Sequence, residues 1–148
     1  MADLSSAPIP PVGPDDHVRG TGEEGLIVYA DLGCPHCAGA WQRLNERPGR
    51  LVFRHFPVRS KHPRSPALHA AAEAAGLQGR FFEMVDSLYA DRGRVDDPHL
   101  WRRAEELGLD LGRFEAGRRS AEVRSRVRRD FEAGIRAGVT STPGVFSL

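Results

Sequence analysis

The amino-acid sequence predicts an α/β fold, and three features of the chain support this. Two short apolar segments, residues 26–30 and 51–56, flank a segment with helical spacing, so strand, helix and strand follow one another within about 30 residues. Such a βαβ unit implies parallel strands joined by a right-handed crossover. Residues 65–137 then have a helical period. The length of 148 residues suits one domain that buries its own hydrophobic core.

The first part of the chain divides into a tail and the start of the domain. Residues 1–14 are rich in proline and small residues, so they are predicted to form a flexible tail with little apolar surface to bury. The domain is expected to span residues 15–148, and residues 17–19 can form a short edge strand. Residues 26–30 combine β-branched and aromatic side chains between Gly25 and Gly33, which is typical of a strand covered on both faces.

A helix is predicted to begin directly after this strand. Cys37, Trp41 and Leu44 repeat at helical spacing and are expected to face the core. Pro35 suits the first turn of the helix, and the Arg-Pro-Gly sequence at 47–49 ends it. Residues 51–56 then form the second strand of the βαβ unit.

Residues of about 60–137 are predicted to form an inserted helical subdomain. Its expected pieces are a helix at 65–77, an apolar stripe at 81–89, a helix at 97–107, a short piece around 111–114 and a long last helix. In the last helix, Val123, Val127, Phe131 and Ile135 fall at every fourth position and are expected to pack in the core. Residues 145–148 can form one more strand.

Charge and composition exclude several kinds of partner. The formal net charge is +1, which gives no reason to expect nucleic acid or an anionic membrane as the main partner. The arginine-rich segment 118–129 is interleaved with acidic residues, as on a solvated helix face. No apolar run approaches the length of a membrane helix. The first residues lack the basic and apolar regions of a secretory signal, so we expect a cytoplasmic location.

The sequence Cys34-Pro35-His36-Cys37 is predicted to carry the chemistry. Backbone N–H groups and a partial positive charge at a helix N-terminus stabilise a thiolate, so Cys34 is the expected nucleophile. Cys37 lies one helical turn later and can attack a mixed disulfide formed at Cys34, which releases the substrate. His36 is expected to add to thiolate stabilisation. No bound cofactor is needed, because the disulfide itself carries the oxidising equivalents.

A zinc site is the main alternative use of a Cys-x-x-Cys pair. The chain has two cysteines in all, and the second pair of ligands that zinc normally requires is missing from the pattern. His55, His62 and His69 lie seven residues apart, outside the usual spacing of a zinc finger. We therefore predict no metal ligands, while a non-redox module that binds metal or peptide remains the second hypothesis.

Two other polar residues, His55 and Asp31, are candidates for a role near the cysteines. His55 can point toward the site, but a structural histidine is the stronger expectation. Asp31 lies three residues before Cys34, where it can influence the proton of that cysteine or bond to the end of the strand. The remaining histidines at 17, 62, 69 and 99 are predicted to lie on the surface or in loops.

The chain resembles the DsbA-like thioredoxin-fold proteins of bacteria. The matching segments are DHVRG at 16–20, DLGCPHC at 31–37, VFRHFP at 52–57, AAAEAAG at 70–76, GRFFEM at 79–84 and GVTSTP at 138–143. They occur in the family's order and cover residues of about 15–146. The resemblance implies a thioredoxin fold split by a helical insertion, acting on protein or peptide thiols and disulfides. A glutathione-linked enzyme on the related fold is disfavoured, because such enzymes usually lack the second cysteine.

The resemblance also assigns roles to the last segment. It implies that Pro143 is a cis-proline facing the cysteine pair, and that Thr142 and Pro143 dock the backbone of an extended substrate while Thr142 tunes the redox pair. The family normally continues with a further strand and a closing helix, whereas here the C-terminal strand and helix are short or missing. We therefore expect an open sheet edge, explained by truncation or covered by a neighbouring molecule, for example in a homodimer.

Overall fold

A computed structural model describes residues 7–148, and within them the chain forms a four-stranded sheet and six helices. The strands are β1 (His17–Arg19), β2 (Gly25–Ala30), β3 (Arg50–His55) and β4 (Gly144–Ser147). They lie in the order β1-β3-β2-β4, with β2 and β3 parallel and the other two pairs antiparallel. The sequence-based prediction of a parallel βαβ unit and an edge strand at residues 17–19 is confirmed.

The helices also agree with the predicted segments. They are α1 (Pro35–Asn45), α2 (Ser65–Gly76), α3 (Phe81–Ala90), α4 (Asp97–Glu106), α5 (Leu111–Arg118) and α6 (Ala121–Arg136). The helix α1 connects β2 to β3, and the helices α2 to α6 lie between β3 and β4 in the chain. The fold is therefore a small α/β sheet interrupted by a helical insertion.

Both faces of the sheet are covered, because alternate residues of a strand point to opposite sides. Val28 and Ala30 of β2 join a large apolar cluster with residues of α1 to α5. Ile27 and Tyr29 join a smaller cluster on the other face, against which Phe131 of α6 packs. The central strand is thus held between two layers, and the turn at its end leads directly into α1.

The long helix α6 departs from the sequence-based prediction at one end. Val123 is 1% exposed, as expected for a core residue, whereas Ile135 is 52% exposed. Four residues turn an α-helix by about 400°, so a stripe at every fourth position drifts by about 40° at each step. Over three steps, Ile135 has turned away from the core that Val123 contacts.

The segment predicted to be a flexible tail packs on the domain over its described part, residues 7–14. Ile9 and Val12 pack against the smaller apolar cluster. The backbone N–H of Ala7 donates to the carbonyl oxygen of Arg136 at 2.9 Å, and the carbonyl oxygen of Pro11 accepts from Arg54 at 3.2 Å. Residues 1–6 of the predicted tail lie outside the described residues.

Candidate active site

Cys34 lies at the start of α1, in the turn that follows β2. Its backbone is extended, with φ −88° and ψ 124°, and Pro35 occupies the first turn of the helix. The Cys34 N–H donates to the carbonyl oxygen of Asp31 at 3.1 Å, and the Cys34 carbonyl accepts from the N–H of Ala38 at 3.2 Å. The fold therefore places Cys34 at the N-cap position of α1, next to the first backbone amides of the helix, which have no partner within it.

Cys37 lies one turn later and faces the core. It is 1% exposed, and its sulfur accepts a hydrogen bond from the backbone N–H of Asp31 at 3.5 Å. Burial raises the pKa of the Cys37 thiol to about 12, although hydrogen bonds from Asp31 and Thr142 oppose the rise. Both cysteines are free thiols in this structure. Cys37 therefore keeps its proton at neutral pH.

The loop before β4 completes the surroundings of the cysteine pair. The Thr142–Pro143 peptide bond is cis. The sulfur of Cys34 lies 3.9 Å from the carbonyl oxygen of Thr142, and the Thr142 side chain contacts the Cys37 thiol. Cys34 itself is 5% exposed, while Pro35 and His36 are exposed on the outer side of the turn. The structure thus brings Cys34, Cys37 and Thr142 into contact and leaves Pro35 and His36 at the surface beside them.

The carboxylate of Asp31 links this turn to two neighbouring segments by hydrogen bonds. It accepts hydrogen bonds from the N–H groups of Gly33 and Val58, each at 2.9 Å, and from the hydroxyl of Ser65 at the start of α2. Although burial raises the pKa of Asp31, its contacts with His69 and Ser65 outweigh that effect and lower the pKa to about 2. Of the two roles considered for Asp31, its contacts support the one at the strand end.

A chain of polar side chains, three of them buried and one half-buried, lies behind the turn. We call it the histidine chain, and its members are His17, Glu73, His55 and His69. The Nε2 atoms of His17 and His55 each lie 2.8 Å from Oε2 of Glu73. The Nδ1 atoms of His55 and His69 are 2.7 Å apart. His69 is fully buried, so the prediction that it lies on the surface is wrong, and His17 is half-buried. The helix α2 carries His69 inward on the face it shares with Glu73.

The hydrogen bonds fix which ring nitrogen carries each proton. The N–H of Leu32 donates to Nε2 of His69 at 2.9 Å, so that nitrogen is an acceptor. Burial lowers the pKa of His69 to about 4, and a neutral imidazole has one donor and one acceptor nitrogen. The Nδ1–H of His69 therefore donates to Nδ1 of His55, and the Nε2–H of His55 donates to Glu73. Although burial raises the pKa of Glu73, the bonds from His17 and His55 hold it well below its usual range.

Three members of this chain have ligand types that zinc accepts. The side-chain atoms of His17, His55 and Glu73 that can bind a metal lie within 4.8 Å of one another. Coordination through Nε2 of His55 would move its proton to Nδ1, and His69 would then carry its own proton on Nε2, where the N–H of Leu32 already donates. The arrangement therefore favours a hydrogen-bonded structural cluster over a metal centre.

Sequence reasoning missed four residues of this region: His17, His69, Glu73 and Tyr89. Tyr89 of α3 is buried, and its hydroxyl donates to the carbonyl oxygen of Asp31 at 3.0 Å. His69 and Glu73 are four residues apart on α2, which places them on one face of the helix. That spacing was the available signal, but it does not show that the face points toward the cysteines.

The cysteine pair lies at the start of α1 and faces the cis-proline loop, and the sheet that carries both is interrupted in sequence by a helical insertion. These features place the protein among the DsbA-like thioredoxin-fold proteins. The family model described as thioredoxin matches residues 15–147, and the chain belongs to that family.

Solved structures agree with this assignment. The thioredoxin-like oxidoreductase of Silicibacter pomeroyi DSS-3 superposes with a TM-score of 0.80 at 25% identity, covering 91% of this chain and 81% of that one. Pseudomonas aeruginosa DsbA2 superposes with a TM-score of 0.73 at 25% identity, covering 93% of this chain and 82% of that one. The α/β thioredoxin-type fold predicted from the sequence is confirmed.

Curated relatives with higher identity are much longer proteins. The Na⁺/H⁺ antiporter NhaA of Herminiimonas arsenicoxydans is 38% identical over an alignment 154 residues long, which covers 98% of this chain and 24% of the antiporter. The Na⁺/H⁺ antiporter NhaA 3 of Salinispora tropica is 41% identical over an alignment 147 residues long, which covers 92% of this chain and 22% of the antiporter. The chain thus spans about a quarter of the length of these relatives. Among residues 7–148, no helix combines the length and hydropathy needed to cross a bilayer.

Proposed function

We propose that the protein is a thiol–disulfide oxidoreductase that exchanges disulfides with protein or peptide substrates through Cys34 and Cys37. The observation that carries the proposal is the position of the Cys34 sulfur. It lies at the N-terminus of α1 and 3.9 Å from the carbonyl oxygen of Thr142, with the buried thiol of Cys37 one turn behind it. Nucleophile, resolving thiol and docking loop therefore meet at one place.

Oxidation of a substrate begins from the Cys34–Cys37 disulfide. A substrate thiolate attacks the sulfur of Cys34, a substrate–Cys34 disulfide forms, and the sulfur of Cys37 leaves as a thiolate that takes up a proton. A second substrate thiolate then attacks the substrate sulfur of the mixed disulfide and releases Cys34 as a thiolate. Two substrate thiols become one disulfide, and the two cysteines are left reduced. Reduction of a substrate follows the same steps in reverse.

The surroundings of each sulfur suit its proposed role. Amides at the N-terminus of α1 stabilise a thiolate at Cys34, which makes its sulfur a good leaving group and suits it to the role of nucleophile. The raised pKa of Cys37 keeps this thiol protonated until the mixed disulfide has formed. The exposed residues Pro35 and His36 flank the approach to Cys34, where His36 is expected to tune thiolate stability.

The backbone at Thr142 and Pro143 is the proposed docking point for an extended substrate segment. The carbonyl oxygen of Thr142 faces Cys34, and β4 follows directly at Gly144. Within the described residues, β4 pairs with β2 on one side and its other edge is open, with Val145 42% exposed. A second copy of the chain covering this edge, and a cytoplasmic location, remain proposals that sedimentation and cell fractionation can test.

A redox titration of the Cys34–Cys37 couple tests the proposed function. We expect a potential well above the approximately −270 mV of thioredoxin, because helix amides and His36 stabilise the reduced form. A couple that does not titrate reversibly would support the alternative of a non-redox module that binds metal or peptide. A couple as reducing as thioredoxin would keep the exchange reaction but reject the role as an oxidant.

The curated name Na⁺/H⁺ antiporter describes proteins of which this chain matches about a quarter. The proposed chemistry needs the cysteine pair and the loop at Thr142, all of which lie within the matched segment. We therefore assign thiol–disulfide exchange, and no transport step, to the residues of this chain.

A further inference from the structure

One peptide group, the one that joins Asp31 to Leu32, is held from both ends by side chains of the helical insertion. Its N–H donates to Nε2 of His69 on α2 at 2.9 Å. Its carbonyl oxygen accepts from the hydroxyl of Tyr89 on α3 at 3.0 Å. Both side chains are buried, so neither bond competes freely with water. The two helices therefore fix the orientation of this peptide group.

The same backbone contacts both reactive residues. The carbonyl oxygen that Tyr89 binds also accepts from the N–H of Cys34 at 3.1 Å. The N–H of Asp31 donates to the sulfur of Cys37 at 3.5 Å. A rotation of the Asp31–Leu32 peptide group would therefore shift the point at which Cys34 enters α1. The amide that faces Cys37 belongs to the preceding peptide group, which shares the Cα atom of Asp31.

We propose that His69 and Tyr89 are positioning residues for the exchange reaction, and that they act on the cysteines through the Asp31–Leu32 peptide group. The inference rests on the proposed function for its effect on rate, but its structural part stands on the hydrogen bonds alone. The helical insertion thereby acquires a role in catalysis without contacting the substrate.

Hydrogen bonds within the histidine chain explain why Nε2 of His69 can accept a hydrogen bond. His69 donates to His55 through Nδ1, and His55 donates to Glu73, so the proton of His69 is held away from Leu32. Burial keeps His69 neutral near neutral pH, with its pKa lowered to about 4. Burial also raises the pKa of Tyr89 well above the ordinary value of 10, so its hydroxyl remains a donor. Both bonds to the peptide group persist through the working range of pH.

A matched pair of substitutions at His69 tests the proposal. The amide of glutamine reaches the position of Nε2, so His69→Gln keeps an acceptor for the N–H of Leu32. The amide of asparagine reaches the position of Nδ1, so His69→Asn keeps the contact with His55 and removes the acceptor. For His69→Asn we expect an about three- to tenfold lower acid dissociation constant of Cys34 and a similar loss of exchange rate. For His69→Gln we expect the acid dissociation constant of Cys34 and the exchange rate to stay close to those of the unsubstituted protein.

The readouts are the ultraviolet absorbance of the Cys34 thiolate as a function of pH and the rate of exchange with a model peptide disulfide. Tyr89→Phe removes the hydroxyl with little change of shape, and we expect it to change both readouts in the same direction as His69→Asn. His99→Gln is the matched control, because His99 lies on α4 and contacts Asp96 at the surface.

The outcomes separate this inference from the proposed function. If His69→Asn and Tyr89→Phe titrate like the unsubstituted protein, the positioning role is wrong even though exchange proceeds. If His69→Gln is impaired while His69→Asn is not, the histidine acts through His55 and not through Leu32, which also overturns it. If the unsubstituted protein does not catalyse exchange, the proposed function fails, while the thiolate titrations still decide whether the peptide group positions Cys34.

Discussion

The turn at residues 31–37 and the histidine chain are neighbouring polar regions with opposite states of hydrogen bonding. In the histidine chain, both ring nitrogens of His55 and of His69 have partners within 2.9 Å. In the turn, the sulfur of Cys34 has one long contact, at 3.9 Å, and the sulfur of Cys37 accepts from an amide at 3.5 Å. The comparison shows that His55 and His69 have a partner at each ring nitrogen, while the two sulfurs make only long hydrogen bonds.

The largest expected effect falls on the turn. Cys34→Ser should abolish exchange, since the hydroxyl is not ionised at neutral pH, while the free energy of unfolding should change by less than about 1 kcal/mol. Cys37→Ser should accumulate mixed disulfides at Cys34, detected by mass spectrometry after trapping. Exchange by the Cys34→Ser protein at the original rate would show that the nucleophile is misassigned.

Substitutions in the histidine chain should mainly lower the free energy of unfolding. Glu73→Ala leaves the N–H groups of His17 and His55 without their acceptor, so we expect the free energy of unfolding to fall by about 2–4 kcal/mol. Glu73→Gln keeps an acceptor oxygen and serves as the matched control, with an expected loss of about 1 kcal/mol. Urea unfolding measures both, and equal losses in the two variants would contradict a role for the shared acceptor.

The pH dependence of stability sharpens the comparison further. The pKa of His69 is about 4 when folded against 6.5 when unfolded, so the unfolded chain binds the extra proton between these values. The contribution of His69 to the free energy of unfolding is therefore fully present above pH 6.5. It should fall as pH decreases toward 4, by up to about 1.4 kcal/mol per pH unit. His69→Gln should remove this slope, whereas His99→Gln should keep it.

The Asp31 contribution has a separate window. Its folded pKa of about 2 lies below the ordinary value of 3.8, so this contribution is present above pH 3.8 and is lost as pH falls toward 2. Unfolding curves of Asp31→Asn and His69→Gln at several pH values distinguish these two groups from other carboxylates with a lowered pKa, such as Glu73. A single loss confined to pH below 3.8, with no slope above pH 4, would contradict a neutral buried His69.

The smallest expected effect belongs to the exposed part of the turn. His36 is exposed, so solvent screens its influence on the sulfur of Cys34. His36→Ala should make the couple more reducing, because thiolate stabilisation is lost, but by less than about 30 mV. Equilibration with a glutathione buffer measures the shift. A much larger decrease would mean that His36 controls the potential more strongly than its position indicates.

Local patterns were enough to predict most of the fold and the cysteine pair. Helix starts, strand runs and the spacing of Cys34 and Cys37 depend on residues near one another in sequence, and each predicted strand and helix is present. The histidine chain was not predictable in this way. His17 and Glu73 are 56 residues apart, and His55 and His69 are 14 apart, so their contacts exist only after β1, β3 and α2 have packed. The misplaced Ile135 has a different cause, since a strict four-residue spacing does not follow one helix face.

The contact between Cys34 and Thr142 spans 108 residues of chain. A ribosome adds about 5–20 residues per second, so Cys34 and Cys37 emerge some 5–20 seconds before the carbonyl oxygen that will face them. During that interval β2 also lacks the partner strand β4. The nascent thiols are therefore open to cellular disulfides before the loop at Thr142 and Pro143 has been synthesised, and the first oxidation of the pair can precede the completed fold.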